Sequence, residues 1–268
     1  MELTPAVAGL RVVRAANPSV MTLDGTRTYL IGSDRPVVID PGPDDRGHLR
    51  ALLDALGSVR PAAIALTHRH PDHAALAPAL ATATGAPVRA AIAAAGEPLT
   101  DGEVLASDAG AVVAVATPGH TPDHLSFVWD SPAGRIVFVG DLLMGEGDTT
   151  LVAAPEGDLG GYLASLERVR ALRPDVLLPA HGAAIADPDA ALDRYRRHRE
   201  QRLDATLSAV RRGEGAGREE CFAAVYGDGV PDELRPAAEA SLSALLEYLE
   251  RSGSIRRSPD GVYAPGRS

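Results

Sequence analysis

Three histidines and an aspartate crowd into six residues of this chain. They lie in the run Thr67-His68-Arg69-His70-Pro71-Asp72-His73, directly after the apolar stretch Ala63-Ile64-Ala65-Leu66. Imidazole nitrogens and carboxylate oxygens are the ligand types of zinc and other borderline divalent cations. A strand that stops abruptly at such a loop can aim His68 and His70, two apart, toward one side, with Asp72 and His73 reaching a neighbouring point. A solitary histidine more often serves a surface or core role. The spacing His-x-His-x-Asp-His behind a strand is far more specific and points to a metal-dependent reaction.

Four more polar residues stand in the same setting, each closing an apolar run. They are Asp40 in Val38-Ile39-Asp40-Pro41-Gly42, His120 in Thr117-Pro118-Gly119-His120-Thr121, Asp141 in Phe138-Val139-Gly140-Asp141, and His181 in Leu178-Pro179-Ala180-His181-Gly182. In this order the motifs resemble those of the metallo-β-lactamase superfamily, over roughly residues 10 to 185. The resemblance implies that His68, His70 and His120 hold one metal, that Asp72, His73 and His181 hold a second, and that Asp141 bridges the pair. The implied cofactor is two divalent ions, zinc first, with iron or manganese as alternatives that the same ligand set admits. The implied reaction is hydrolysis by a metal-bridging hydroxide, with Asp72 and Asp141 as the catalytic carboxylates. Asp40 is expected to fix the metal loop from behind, and His124 to steady His120 or touch substrate. Asn17, Thr22 and Tyr29 are expected to line the cleft. His48 and His198 lie outside every motif and are expected at the surface.

The segment from Asn17 to Gly32, with Thr117 to His124 and Gly140 to Gly145, is similar to a subgroup of that superfamily whose members end in a winged helix. The subgroup includes a single-strand endoribonuclease and thioesterases that release polyketide acids. Asp141 stands where secreted zinc lactamases commonly carry cysteine, which argues against antibiotic hydrolysis. Flavin-linked di-iron relatives replace one loop histidine by a carboxylate, whereas His68, His70 and His73 are all kept here.

The elements that must position these residues can be read from periodicity and punctuation. Strands are predicted over 10–16, 27–33, 36–39, 62–66, 87–90, 103–106, 111–116, 125–130, 135–139 and 175–179. Asp44 or Asp45 caps a helix over 46–57, another helix is predicted through 74–83, and Asp158 caps one over 159–172. The expected fold class is α/β, an αββα sandwich, resting partly on the resemblance. A catalytic domain is expected over 1–186 and a connecting helix over 187–212. A break follows at Gly213-Glu214-Gly215-Ala216-Gly217. Helices over 218–226 and 233–251 and a hairpin near 254–263 then outline a winged-helix-like domain, 213–268.

Composition narrows the partners. The 268 residues are 45% hydrophobic and 23% charged, ordinary for a soluble chain large enough for a substantial core. No apolar run approaches the ~20 residues a membrane span needs. Met1-Glu2-Leu3-Thr4-Pro5 lacks a basic-then-apolar leader, and the single cysteine, Cys221, allows no internal disulfide, so a cytoplasmic location is expected. Net charge is −10 with no lysine, and Asp232, Glu233, Glu239, Glu247 and Glu250 dominate the last predicted helix, so DNA is not an expected partner. A small ester or thioester is favoured over single-stranded RNA, because RNA recognition wants stacking aromatics and only 4% of the chain is aromatic. A homo-oligomer remains open. A non-catalytic metal-binding, partner-docking protein is the third alternative, disfavoured because structural zinc sites are closed single-metal sites.

Overall fold

The computed structural model describes residues 7–147, 149–212, 215–227 and 229–266. Residues 1–5, read above for a leader, and Gly213 and Glu214 of the expected break lie outside the described residues.

Two sheets arise from the period-two alternation of the strands. The first runs β1 (Leu10–Arg14), β2 (Arg27–Ile31), β3 (Val37–Ile39), β4 (Ala63–Ala65), β5 (Val88–Ala90) and β6 (Glu97–Pro98) in that order. Its first three strands are antiparallel, and β3 to β6 are parallel. In the second, β7 (Val104–Ser107), β8 (Gly110–Ala116), β9 (Leu125–Ser131) and β10 (Gly134–Gly140) form an antiparallel meander. The strand β11 (Val176–Pro179) joins β10 in parallel.

Alternation decides what each face meets. Val37, Ile39, Ala63 and Ala65 turn toward the second sheet and pack with Val112, Phe127, Trp129, Ile136 and Phe138. The residues between them, Val38 and Ile64, face outward onto Leu52 and Leu56 of α1 (Arg46–Leu56). The strand β4 leads into the single turn α2 (Pro71–Ala74) and then α3 (Ala77–Thr84), whose Leu80 joins the same outer cluster. On the far side Val137, Val139 and Leu177 pack against α4 (Leu159–Ala171), α5 (Pro188–Arg211), α6 (Arg218–Tyr226) and α7 (Arg235–Arg251). The result is a helix–sheet–sheet–helix sandwich, as expected.

Asp45, Asp158 and Asp187 each accept a backbone N–H at the start of α1, α4 and α5. The helix expected through 74–83 is instead two pieces. Pro78 has no N–H to donate to the carbonyl of Ala74, so the ladder breaks and Leu76 N–H turns to Gly42 O at 3.1 Å. The separate turn α2 is what presents Asp72 and His73 beside the end of β4. The strand β6, only two residues long, carries too little pattern to be read from sequence.

Beyond residue 186 the chain forms α5, α6, α7 and a two-stranded ladder of β12 (Ile255–Arg257) and β13 (Tyr263–Pro265). The change in composition there is not matched by a separate core among the described residues. Leu192 and Tyr195 of α5 and Leu242, Leu245, Leu246 and Leu249 of α7 belong to one apolar cluster with Leu166 of α4 and the outer face of the second sheet.

Candidate metal centre

The ends of four strands and the turn α2 deliver the site. His68 and His70 follow β4, Asp72 and His73 sit on α2, His120 lies between β8 and β9, Asp141 follows β10, and His181 follows β11. Their ligand atoms form two clusters, His68, His70, His120 and Asp141 in one and Asp72, His73 and His181 in the other, each within 4.8 Å. Asp141 spans both. Its Oδ2 is 3.6 Å from His120 Nε2, and its Oδ1 is 3.3 Å from His73 Nε2 and 3.2 Å from His181 Nε2. Asp72 Oδ2 stands 3.4 and 3.3 Å from the same two imidazole nitrogens.

Each imidazole is oriented from outside by an acceptor. Thr67 Oγ1 donates to Asp40 Oδ2 at 2.7 Å and so accepts from His68 Nδ1 at 3.0 Å. His73 Nδ1 donates to the same Asp40 oxygen at 2.8 Å. His120 Nδ1 lies 2.6 Å from Leu151 O, and His181 Nδ1 lies 3.4 Å from Gly25 O. A carbonyl can only accept, so these nitrogens carry the proton. The Nε2 lone pairs of His68, His73, His120 and His181 are thereby turned inward. His70 is reversed: its Nε2 faces Glu156 at 3.6 Å and its Nδ1 is 3.0 Å from His120 Nε2. Outer-shell acceptors of this kind accompany metal-ligating histidine.

The donor set fits a pair of cations. Among the described residues His68 Nε2, His73 Nε2, His181 Nε2 and Asp141 Oδ1 are buried without a hydrogen-bond partner, although Asp141 Oδ1 stands 3.3 Å from His73 Nε2 and 3.2 Å from His181 Nε2. Ligands bound at 2.0–2.1 Å around a tetrahedral cation are spaced by about 3.4 Å. Such buried orphans are costly unless something satisfies them. The electrostatics agree. Burial alone would depress the His181 imidazole, but the Asp141 carboxylate, aided by Asp72, lifts it to about 9. His73 is likewise raised by Asp141 and Asp40 against the effect of burial. Burial would raise Asp141, yet His73 and His181 hold it well below the carboxylate range. The carboxylates thus demand positive charge where the orphaned atoms converge.

Asp40 and His124 support this arrangement from behind. Asp40 has a left-handed backbone (φ 50°), which aspartate tolerates better than most residues, and its Oδ1 also accepts Thr67 N–H at 2.7 Å. His124 is buried; its Nδ1 pairs with Thr117 Oγ1 at 2.9 Å and its Nε2 accepts from Asp141 N–H at 3.3 Å. Burial, then His120, push His124 down to about 3, so it is neutral and able to accept. Gly140 has φ 48°, and a Cβ there would stand 2.8 Å from His124 Nε2 and 2.9 Å from Thr67 Cβ. Glycine is what lets β10 bring Asp141 so close to the metal loop.

Comparison with known proteins reaches the same place. The family model of the metallo-β-lactamase superfamily matches residues 21–113 and 98–181. The chain belongs to that superfamily. It is 35% identical over 266 residues to the lactamase-like protein nscB of Neosartorya fischeri, covering 90% of this chain and 79% of that one. It is 31% identical over 297 residues to the β-lactamase-like protein 2 homolog of Drosophila melanogaster, covering 99% of both. A crystal structure of a metallo-β-lactamase family protein from Thermus thermophilus superposes with TM-score 0.77 at 24% identity, over 96% of this chain and 98% of that one. Superfamily members are generally metal-dependent hydrolases and typically bind two divalent cations, and this chain is an enzyme of that class.

A cavity of about 600 Å³ opens from the superfamily motifs toward the C-terminal helices. His70, Asp72, His120 and Asp141 line one end of it. Asn17, Thr22 and Tyr29, expected to line the cleft, are not among its walls. Asn17 bonds Thr26 through both ends of its amide, and Thr22 is buried beneath the same hairpin with its Oγ1 2.8 Å from Ser19 Oγ. Tyr29 is buried between the sheets and donates to Pro179 O at 2.6 Å, which steadies the strand end before His181. The neighbouring Val20 and Met21 face the cavity instead. His48 is buried rather than at the surface, 3.0 Å from Thr28 Oγ1, because it shares the inner face of α1 with Leu52 and Leu56. His198 lines the cavity.

Three residues that the sequence did not single out as site residues bear on the site. Thr67 links Asp40 to His68. Glu156 stands behind His70 and pairs with Arg69 Nη2 at 2.6 Å. Arg199, buried on α5, donates to Thr150 O, and Thr150 Oγ1 donates to Asp141 O at 2.8 Å.

Proposed function

We propose that this enzyme uses two zinc ions to hydrolyse a small ester or thioester. The observation that carries the reading is the pair of ligand clusters joined by Asp141 and opening into a cavity lined in part by Val225, Val230, Pro231, Leu234 and Ala238. When bound, two divalent cations there supply Lewis acidity and lower the pKa of an attacking water. The chain's own contribution is orientation and proton handling. Thr67, Asp40, Leu151 and Gly25 keep the Nδ1 protons outside and the Nε2 lone pairs inside. Asp72 lines the cavity and its side chain is 29% exposed against 13% for Asp141, so Asp72 is the carboxylate placed to take the proton released as water attacks. Burial raises Asp72, but His181 and His73 more than offset that and hold it below the carboxylate range.

The same reading assigns the C-terminal helices and the hairpin of β12 and β13 to a winged-helix-like module that walls the substrate cavity. Support comes from the order of helix, helix, helix and hairpin and from the walls that α5 to α7 contribute. The test is metal analysis of the purified protein with parallel assays on acyl thioesters and a single-stranded RNA. Two zinc ions per chain with thioester turnover is the expected result. RNA cleavage without thioester turnover would overturn the substrate assignment.

A further inference from the structure

Beyond the metal ligands the cavity combines in its lining His198, Arg199 and Arg202 of α5 with the apolar Val225, Val230, Pro231, Leu234, Ala237 and Ala238. Its 600 Å³ is in the range that encloses most of a small organic ligand. A phosphodiester strand laid there would strip its backbone of water against valine, proline and leucine. An acyl chain would instead gain by burial.

The two guanidinium groups ask for an anion. Arg199 is 2% exposed, its Nε has no hydrogen-bond partner, and no carboxylate among the described residues pairs with it. Burial, and more weakly Arg202, disfavours its charge. Arg202 lies one turn on, over the Tyr226 ring at 4.3 Å, with Nε directed to His198 Nε2 and Nη1 to Val225 O. It too has no carboxylate partner among the described residues. Arg199 is buried and Arg202 half-buried, and a buried cation without a counter-charge is costly in a folded protein. In a chain of net charge −10 with 36 acidic residues, the cavity lining thus carries two arginines that no carboxylate among the described residues neutralises.

We propose that the cavity binds an acyl group with an apolar body and an anionic substituent. The apolar body rests on Val225 of α6, on Val230, Pro231 and Leu234, and on Ala237 and Ala238 of α7, and the anion meets the arginines of α5. The proposal rests on the hydrolase reading above. It makes Arg202 and Ala238 specificity-determining residues: the first reads charge, and the second, a small side chain on α7, leaves room for length.

The zinc-loaded enzyme is given acetyl, octanoyl and octanedioyl thioesters of N-acetylcysteamine. The expected order of kcat/KM is octanedioyl, then octanoyl, then acetyl. Arg202→Gln should cut the octanedioyl value by about tenfold or more while octanoyl stays within about twofold. Ala238→Trp should depress both long substrates by at least about tenfold and leave acetyl nearly unchanged. Circular dichroism checks that each variant is folded. Equal turnover of the three substrates, or variants that change all three alike, would overturn the proposal. If the wild type hydrolyses none of them, the hydrolase reading fails, and the cavity is judged by calorimetric binding of octanedioate. Binding weakened about tenfold by Arg202→Gln then upholds the anion site, and unchanged binding removes it.

Discussion

Arg199 donates through Nη2 to the carbonyl oxygen of Thr150, tying a helix beyond every ligand motif to the loop that supports two of the ligands. Thr150 Oγ1 donates to Asp141 O, and the next carbonyl, Leu151 O, accepts from His120 Nδ1. A second tie runs from Tyr195 OH, which accepts Met144 N–H at 2.9 Å just after Asp141. The C-terminal helices therefore hold the metal centre as well as wall its cavity.

Arg199→Met tests that tie. It removes the charged donor of the buried Thr150 carbonyl and leaves it the Thr149 Oγ1–H at 3.2 Å, at a cost of about 1 kcal/mol. Because His120 and Asp141 lose their common brace, zinc affinity should drop by about tenfold or more. Urea unfolding measures the first effect and competition with a chromophoric chelator the second. Unchanged zinc affinity in a destabilised variant would reduce Arg199 to a packing residue.

Asp40→Asn separates orientation from ligation. Asp40 touches none of the orphaned ligand atoms, yet accepts from Thr67 N–H, Thr67 Oγ1–H and His73 Nδ1–H. An amide can keep one acceptor oxygen but turns a donor toward another donor. The fold should survive while zinc affinity falls about 10- to 100-fold. A variant that binds zinc like the wild type would show that the imidazoles are oriented without Asp40.

Why some of this was legible in the sequence and some was not follows from the geometry. Strand ends at one end of the sandwich bring distant loops together, so apolar runs closing on His or Asp marked the loops that carry the seven residues of the two clusters. Tyr29 was misplaced because all five residues of β2 are buried, and a strand buried on both faces does not reveal which side chain meets the cleft. Arg199 looked like any other arginine of a polar helix, yet it follows Leu192 by seven residues and Tyr195 by four on one helical face. The same spacing before Leu52 marks His48 as buried. The split between α2 and α3 was signalled by Pro78, but its consequence depends on the contact of Leu76 with Gly42, which no local pattern contains.

Acid sensitivity should centre in part on Asp108, far from the ligands. Its carboxylate accepts from the backbone N–H of Asp34, Ser33 and Arg35 in the turn between β2 and β3, which lowers it from 3.8 to about 2. A depressed folded pKa stabilises above the unfolded value, and that stability is lost as pH falls through the folded one. Wild type should therefore exceed Asp108→Asn in stability at neutral pH, by less than about 1 kcal/mol because the site is solvent-exposed. The gap should close between 3.8 and about 2, the window set by the two pKa values. A gap independent of pH in chemical unfolding would assign the effect to shape rather than charge.

His70→Ala probes the first cluster with the least structural damage. His70 is the most exposed of the ligand histidines, at 34%, and it packs by ring edges against His68 and His120 rather than into an apolar core. Removing it leaves Asp72, His73, His181 and Asp141 untouched. Zinc content should fall from two ions per chain toward one, and the thermal midpoint of the metal-free protein should stay within about 4 °C of wild type, as expected for less than about 1 kcal/mol. Hydrolysis should be lost along with the first ion, since the three imidazoles and shared carboxylate of that cluster become two imidazoles and a shared carboxylate. Two ions retained with undiminished turnover would mean that His70 is not a ligand and that the cluster is completed by another group.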